Sequence, residues 1–247
     1  MPQVHPKIVL LSHTSNPEQV VAMAAKLCYS KSNLDDLLAK ITEKDQKDFI
    51  KKLAEVGHES PLEHASFTFG IEGISRACSH QLVRHRLCSF SQQSQRYCSF
   101  ENDASFDYVI PPTIDLNEGT FELAMEGLKN DYQDLCRSMR SKGVPEADIA
   151  QDARFILPNA AATRIIMTAN ARELRHIFNV RCCGRAQWEI RHVAWAMWKL
   201  CVQAAPSLFA GSGPNCVVTG KCPEGKRSCG TMEVMKQQYH CDGGSNA

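Results

Sequence analysis

Apolar residues recur along this chain at spacings that change between those of helices and those of strands. The short apolar run Lys7–Leu11 is typical of a buried strand, and the apolar spacing over Pro17–Cys28 predicts an amphipathic helix. Strict alternation over His64–Ile74 predicts a strand with one buried face. From Phe121 onward, apolar residues lie three and four positions apart until Gly143, which predicts a long helix. The pattern therefore favours a mixed α/β fold.

The same reading places further elements along the rest of the chain. The segment Asn170-Ala171-Arg172-Glu173 has the form of a capping box that starts a helix. Beyond Gly211 the chain is rich in Gly and Cys and has little apolar periodicity, so we expect residues 1–210 to form the main domain and residues 211–247 a loop-rich extension that the chemistry does not need. The remaining predicted helices are Leu34–Ile41, Gln46–Val56, Ser75–Arg86, Val144–Phe155 and Ala186–Ala204, and the remaining strand is Arg164–Ala169.

Length and composition exclude several classes of protein. A chain of 247 residues with 43% hydrophobic residues can bury one sizeable core, which excludes disorder as its main state. The longest apolar runs, 20–25 and 193–198, are six residues each, against the roughly 20 that a membrane helix needs. The first residues lack the pattern of a secretory signal, so we expect a cytoplasmic protein without membrane contact whose twelve cysteines are reduced.

Charge is balanced overall, at +1, but it is unevenly distributed. The window from Gly73 to Phe100 contains no Asp or Glu, and it carries four arginines and two histidines. Planar guanidinium groups bind phosphate bidentately, so this window predicts an anion site, with a solvated basic helix end as the alternative. A later group of arginines is diluted by Glu173 and Glu189, and its composition favours an ordinary surface. This later group is Arg172, Arg175, Arg181, Arg185 and Arg191.

Familiar catalytic motifs are absent from the sequence. It contains neither a Ser-His-Asp order nor a glycine-rich nucleotide loop, and Ser94 has no evident activating base, so we interpret Ser94 as a binding hydroxyl rather than a nucleophile. The cysteines after Gly211 have spacings that match none of the usual zinc pairs, so we predict no metal site, with a structural zinc left as the alternative.

Five blocks of residues, in order over roughly residues 5 to 205, resemble the flavin-dependent thymidylate synthases. The family signature Arg-His-Arg-x7-Ser is present at Arg84-His85-Arg86-x7-Ser94. The resemblance implies a transferase of nucleotide biosynthesis that reductively methylates dUMP to dTMP, with 5,10-methylenetetrahydrofolate as the carbon donor and NADPH as the reductant through FAD. It also implies a single α/β domain with a central mixed or antiparallel sheet packed with helices, and a homotetramer whose active sites are shared between subunits. The other four blocks are His58–His64, Ala153–Pro158, Asn170–Arg172 and Arg181 with Ala186–Ile190.

The same resemblance assigns roles to individual residues. Arg181 matches the arginine that polarises the uracil ring, and it is the one residue given a catalytic role. The residues expected at FAD are Ser60, Arg84, His85, Arg86, Gln92, Asn170, Ala171, Arg172 and His176. The residues expected at dUMP are Gln81, Leu82, Val83, Arg84, Gln92, Gln93, Ser94, Gln95, Arg96, Arg154 and Arg181.

Two positions depart from the family pattern. Gln92 stands where Glu is common, and Gln95 replaces the usual Gly between Ser94 and Arg96. A different class of function also stays open, that of an arginine-rich nucleic-acid-binding module with a zinc-knuckle-like tail. The neutral overall charge argues against that class.

Overall fold

The computed structural model describes residues 3–101, 106–115, 117 and 119–244. Residues 245–247, the end of the predicted extension, lie outside this range. The strands are β1 Lys7–His13, β2 Ser66–Ser75, β3 Ser89–Gln92 and β4 Ala162–Asn170. The helices are α1 Pro17–Leu27, α2 Leu34–Thr42, α3 Lys47–Glu55, α4 Arg76–Leu82, α5 Thr120–Ser141, α6 Glu146–Ala153, α7 Ala171–Arg181, α8 Trp188–Ala204, α9 Pro206–Phe209, α10 Asn215–Val218 and α11 Met232–Cys241.

The fold is a mixed α/β fold built on a four-stranded antiparallel sheet with strand order β1-β2-β4-β3. Contacts divide the chain into two compact units. The first consists of Met1–Lys7, Ile71–Arg84 and Phe90–Ile166, and the second of Ile8–Gly70, His85–Ser89 and Met167–Ala247. Among the described helices, none is both long enough and apolar enough to cross a membrane.

In the first unit, α5 supplies one wall of the apolar core. Met125 packs with Phe106, Tyr108 and other buried residues, while Tyr132 and Cys136 pack with Ile149 of α6. The helix ends where Gly143 adopts a φ of 77°, a conformation that costs other residues more than glycine. The periodicity after Phe121 predicted this helix and its end, and both are confirmed.

In the second unit, the helices α7 and α8 are buried on their apolar faces. Asn170 caps α7, because its side chain accepts a hydrogen bond from the backbone N–H of Glu173 at 2.9 Å, as the capping box predicts. Phe178 of α7 contacts Phe209 at a ring distance of 5.9 Å, and Phe209 contacts Phe67 of β2 at 5.2 Å. This aromatic packing fixes the helix that carries Arg181 at its last position.

Two predicted elements differ from the structure. The helix expected to reach Arg86 ends at Leu82, where the backbone tightens into a turn in which the N–H of Arg84 bonds the Gln81 carbonyl at 3.3 Å. Arg84 therefore does not stack above Arg76 on a helix face. The sequence after this helix, with the small polar residues Ser89, Ser91, Gln92 and Gln93, predicts a loop, but Ser89–Gln92 form strand β3 beside β4. Backbone pairing with β4 overrides the weak strand propensity of this polar segment.

The predicted extension also contains regular structure. After the short helix α10, helix α11 covers ten residues, and its Met235 and Tyr239 are buried. The ring of Tyr239 lies 5.1 Å from that of Trp198 in α8. The expectation of a loop-rich segment is therefore wrong for residues 232–241, whose apolar positions are too few to give a clear helical period.

Candidate active site

In the second unit, the imidazole of His85 lies between Arg181 and Glu173. The Nε of Arg181 donates to Nε2 of His85 at 3.0 Å, and Nδ1 of His85 lies 3.5 Å from Oε1 of Glu173. Because Arg181 donates to Nε2, the proton of the neutral ring belongs on Nδ1. His85 and Glu173 are each only 7% exposed. Arg181 and Glu173 therefore hold the imidazole in one orientation and one tautomer.

The protonation states at this group follow from burial and from the neighbouring charges. Burial, reinforced by the charge of Arg181 and by His176, lowers the pKa of His85 to about 4. Burial also raises the pKa of Glu173 above its usual range, although His176 opposes this shift. At neutral pH the imidazole is therefore uncharged, and its contact with Glu173 is not an ion pair. Burial raises the pKa of the nearby Cys88 thiol to about 12, so this cysteine is no nucleophile at neutral pH.

The buried, neutral His85 predicts a loss of stability in acid. Its pKa falls from a usual 6.5 to about 4 on folding, so between these values the unfolded chain binds more protons than the folded chain. The free energy of unfolding should therefore be unaffected by His85 above pH 6.5. As pH falls toward 4 it should decrease, by about 3 kcal/mol at most. His85→Gln, which cannot titrate, should flatten the dependence of the unfolding free energy on pH in this window.

Urea unfolding of wild type and His85→Gln at several pH values, at fixed protein concentration, measures this slope. The exposed His240→Gln variant is the control and should keep the wild-type slope. An unchanged slope in His85→Gln would show that the imidazole is not held neutral by the fold.

A cavity of about 660 Å³ opens in the same unit, within the size range of small-molecule sites. The N-terminal half of α7 faces it with the predicted residues Asn170, Arg172 and His176. The complete lining is Glu59, Glu63, Leu87, Asn170, Arg172, Glu173, Arg175, His176 and Asn179. Three of the residues predicted for FAD therefore meet at one cavity.

Arg172 enters the cavity already paired with acids. Its guanidinium donates to Glu63 and lies 3.5 Å from the Glu59 carboxylate, and these contacts raise its pKa. Both acids belong to the block that starts at His58: Glu59 precedes the 3-10 turn Ser60–His64, and Glu63 lies within it. The cavity thus offers a guanidinium and amides as donors, with carboxylates as acceptors.

The other residues of this unit that were predicted at FAD flank the cavity without lining it. Ser60 is exposed at the start of the 3-10 turn, and Arg86 is exposed in the turn after His85. Ala171, the first residue of α7, is buried and donates its backbone N–H to the Ala65 carbonyl at 2.8 Å. Because this N–H is already bonded, it is not free to donate to a ligand. Ala171 instead helps to position the start of α7.

Three arginines of the later group are not ordinary solvated surface residues. Arg175 donates to the carbonyls of Leu208 and Ala210 at 2.8 and 2.9 Å, and Arg191 donates to the Gly184 carbonyl at 2.9 Å. Arg181 bonds His85, so the composition-based interpretation is wrong for these three. The Glu residues that diluted the group are themselves buried, which composition cannot reveal.

In the first unit, Gln92 joins two elements through its side-chain amide. Its Nε2 lies 2.9 Å from Oγ of Ser79 in α4 and 3.2 Å from Oγ1 of Thr163 in β4. An amide can donate to both hydroxyls, whereas the carboxylate common at this position in the family only accepts. Gln92 therefore fixes β3 against α4, and the next residue continues the pairing, since the N–H of Gln93 bonds the Arg164 carbonyl at 2.9 Å.

The segment after β3 forms a tight turn that begins at Ser94. Its Oγ accepts the backbone N–H of Arg96 at 3.2 Å, and its carbonyl accepts the N–H of Cys98 at 3.0 Å. The turn presents the Arg96 side chain to solvent, with its guanidinium 5.5 Å from the Tyr97 ring centre. Gln95 has no positive φ, so the glycine usual at this position in the family is not required by the backbone here. Ser94 acts as a cap in this turn.

Two arginines of this unit lie close enough to repel each other. Burial, and next the positive charge of Arg154, lower the pKa of Arg76. The Nε of Arg154 donates to the Gln151 carbonyl at 3.1 Å. Arg154 was predicted at dUMP, while Arg76 belongs to the acid-free window that predicts an anion site but to none of the five matched blocks. A phosphate would relieve the repulsion between these guanidiniums, so Arg76 is a candidate that motif reasoning missed.

Of the remaining predicted residues, four lie around the end of α4. Gln81 is half-buried and Leu82 is buried in its last turn, Val83 follows as the capping residue, and Arg84 is exposed. Leu82 and Val83 can therefore offer backbone or packing contacts, while Gln81 and Arg84 offer polar side chains.

Comparison with known proteins agrees with these features. Residues 9–207 match the family model described as "Thymidylate synthase complementing protein". The chain belongs to this family. A flavin-dependent thymidylate synthase of Geobacter sulfurreducens is 51% identical over 236 residues, covering 94% of this chain and 97% of the relative. Proteins of the same name from Nitratidesulfovibrio vulgaris and Clostridium tetani are 46% and 45% identical, covering 96% and 94% of this chain and 99% and 96% of the relatives.

Membership of the thymidylate synthase complementing protein family confirms the resemblance inferred from the five blocks. It supports the enzyme over the nucleic-acid-binding module. The sequence did not predict the hydrogen bond between Arg181 and His85, because the two residues are 96 positions apart. The only hint was that both fall in matched blocks.

Proposed function

We propose that this chain is a flavin-dependent thymidylate synthase, a methyltransferase that converts dUMP to dTMP. The methyl carbon comes from 5,10-methylenetetrahydrofolate and the reducing equivalents come from NADPH by way of FAD. The observation that carries the proposal is the family match over most of the chain. It is joined by a signature histidine that burial keeps neutral and that accepts a hydrogen bond from the arginine assigned to the uracil ring.

The residues around the cavity fit a flavin dinucleotide. Arg172 and the amides of Asn170 and Asn179 can donate to phosphate and carbonyl oxygens, and Glu59 and Glu63 can accept from sugar hydroxyls. When bound, FAD supplies the redox chemistry of the reaction. Arg172, already paired with two acids, can turn one donor edge to the cofactor and keep the other on the carboxylates. His176 would close the same wall, and Ser60, Arg84, His85, Arg86, Gln92 and Ala171 would complete the FAD site.

Arg181 is proposed to act on the uracil ring of dUMP. A guanidinium beside a uracil carbonyl stabilises the negative charge that develops on the ring as the new carbon bond forms. The bond from its Nε to His85 fixes the guanidinium, so its terminal amino groups are aimed without reorganisation. The neutral imidazole accepts this bond without adding a second positive charge. No enzyme nucleophile takes part in this scheme.

The remaining polar residues of the first unit are proposed to hold dUMP. Arg154, Arg76 and Arg96 would bind the phosphate, with Arg96 placed by the turn after β3 that Ser94 caps. The charge of the phosphate changes little during the reaction, so these contacts serve binding more than turnover. Gln81, Leu82, Val83, Arg84, Gln92, Gln93 and Gln95 complete the proposed dUMP site.

We further propose that the protein works as a cytoplasmic homotetramer with active sites shared between subunits, and without nucleic acid or membrane as a partner. This assembly is what the resemblance of the five blocks implies. Residues 1–210 would form the catalytic domain and residues 211–247 its extension.

Flavin binding and turnover test the proposed function. The full-length protein purified with excess FAD should show bound flavin absorbance, and with dUMP, NADPH and 5,10-methylenetetrahydrofolate it should form dTMP, detected by mass spectrometry. Omission of either co-substrate should stop product formation. Absence of flavin absorbance after incubation with excess FAD would overturn the proposal.

A further inference from the structure

Four cysteines of the second unit come from distant parts of the chain. Cys183 follows the end of α7, Cys216 is buried in α10, and Cys222 and Cys229 belong to the segment between α10 and α11. All four are free thiols, and none has a role in the proposed reaction. Their spacing within the tail alone indicated no zinc site, because the motif lacked a member from outside the tail.

Close packing brings the thiol of Cys229 against the backbone beside Cys183. A Cβ atom placed on Gly184 would stand 3.0 Å from Sγ of Cys229 and 2.7 Å from Oγ1 of Thr231. Both distances are shorter than ordinary contacts, so the glycine leaves room for the thiol at this point. Gly230, with a φ of 73°, lets the chain turn directly after Cys229.

Arg185 fastens the same two segments together. Its Nη1 lies 2.9 Å both from Oε2 of Glu224 and from the carbonyl oxygen of Arg227. These partners lie between Cys222 and Cys229. The segment that carries two of the thiols is therefore tied to the turn that carries Cys183.

The chain also reverses between Cys216 and Cys222. The hydroxyl of Thr219 lies 2.8 Å from the Asn215 carbonyl and 2.9 Å from the Lys221 carbonyl. Because the turn folds Lys221 back toward the start of α10, the next residue, Cys222, returns to the neighbourhood of Cys216.

The buried Cys216 completes the group. Its thiol lies within electrostatic range of the thiols of Cys183, Cys222 and Cys229. Together with the close packing at Gly184 and the chain reversal at Thr219, this places the four thiols in one part of the second unit.

We propose that Cys183, Cys216, Cys222 and Cys229 form a tetrathiolate site for zinc. Four cysteines are a common closed ligand set for structural zinc, and thiolates select zinc over the harder divalent cations. Among the described residues no three His, Cys, Asp or Glu side chains are arranged to hold a metal ion, so the thiols must turn toward a common centre on binding. Staggered rotation about each Cα–Cβ bond provides such a movement.

The proposed site is structural, because all four positions of a tetrahedral zinc would be filled by protein. It would fasten the segment between α10 and α11 to the end of α7. Arg181, two residues before Cys183, is the last residue of that helix. The metal would therefore support the element that carries the residue assigned to the uracil ring, without contacting substrate.

Metal analysis of the full-length protein tests the site. Protein expressed with zinc should contain about one zinc ion per chain, and Cys216→Ser and Cys229→Ser should each lower this at least tenfold. Cys241→Ser, a matched change at an exposed cysteine of the same extension, should leave the zinc content unchanged. Cobalt loaded in place of zinc should give the intense visible bands of tetrahedral thiolate coordination. These readouts are independent of flavin and of turnover.

A measurement on the wild-type protein covers the case in which the serine variants do not fold. Zinc should protect Cys222 and Cys229 from alkylation, and a chelator should remove this protection, while the exposed Cys98 reacts in both conditions. Wild-type protein that takes up no zinc from excess, that contains iron and sulfide instead, or that joins these cysteines in disulfides would overturn the proposal.

Discussion

Replacing Arg181 by alanine should lower kcat for dTMP formation by roughly 10²- to 10³-fold and change KM for dUMP little. The guanidinium is assigned to charge that appears on the ring only during the reaction, so its loss acts on the transition state. It also removes the donor at 3.0 Å from His85 Nε2. Steady-state kinetics with dUMP as the varied substrate measure both constants.

A second readout separates this role from a merely structural one. The charge of Arg181 is, after burial, the next cause that lowers the pKa of His85, so the pKa of His85 should rise in Arg181→Ala. NMR titration of the histidine follows this shift directly. A variant that has lost its fold would show no native histidine signal at all.

Arg96→Ala provides the contrasting case. Charge-assisted hydrogen bonds to a phosphate contribute about 1.5–3 kcal/mol to ground and transition states alike, so KM should rise roughly ten- to a hundredfold with kcat nearly unchanged. Arg137→Ala, which removes an exposed pair with Asp134, is the control for loss of a surface arginine. If Arg181→Ala changed only KM and Arg96→Ala only kcat, the two roles would be reversed.

Local patterns were sufficient to predict the long elements of this fold. Helix α5 follows from its three- and four-residue apolar spacing, α7 from the Asn170 cap, and β2 from alternation, because each signal lies within the element itself. Strand β3 could not be predicted this way. Its pairing with β4 depends on residues more than seventy positions away, while its own serines and glutamines favour a loop.

Motifs in the sequence predicted which residues belong to the candidate site, but they did not predict its geometry. The family resemblance predicted that Asn170, Arg172 and His176 act together at FAD, and the structure brings them to one cavity. What no local pattern gave is which groups are paired: Arg172 with two acids, and Arg181 with His85. Such pairs are set by tertiary packing, as are the protonation states that follow from burial.

Tyr239→Ala should destabilise the protein by about 3–5 kcal/mol, the usual cost of removing a buried aromatic ring. Tyr239 is 2% exposed, and its ring packs on Trp198, whose Nε1 donates to Ser212 at 3.0 Å. The extension therefore completes the packing around α8, and the sequence-based expectation that it is dispensable has to be tested against this contact.

Three matched variants test how much the extension stabilises the fold, with urea unfolding as the measurement. Tyr239→Phe removes only the hydroxyl and should cost about 1 kcal/mol, and Tyr29→Ala, at a tyrosine that is 83% exposed, should cost less still. Truncation after Gly211 removes Ser212 and Tyr239 together, so it should destabilise the protein at least as much as Tyr239→Ala. Helix α8 packs on α7, whose last residue is Arg181. The truncated protein should therefore also bind flavin less well at urea concentrations near its unfolding midpoint. A truncated protein as stable as wild type would show that residues 212–247 lie on the fold without supporting it.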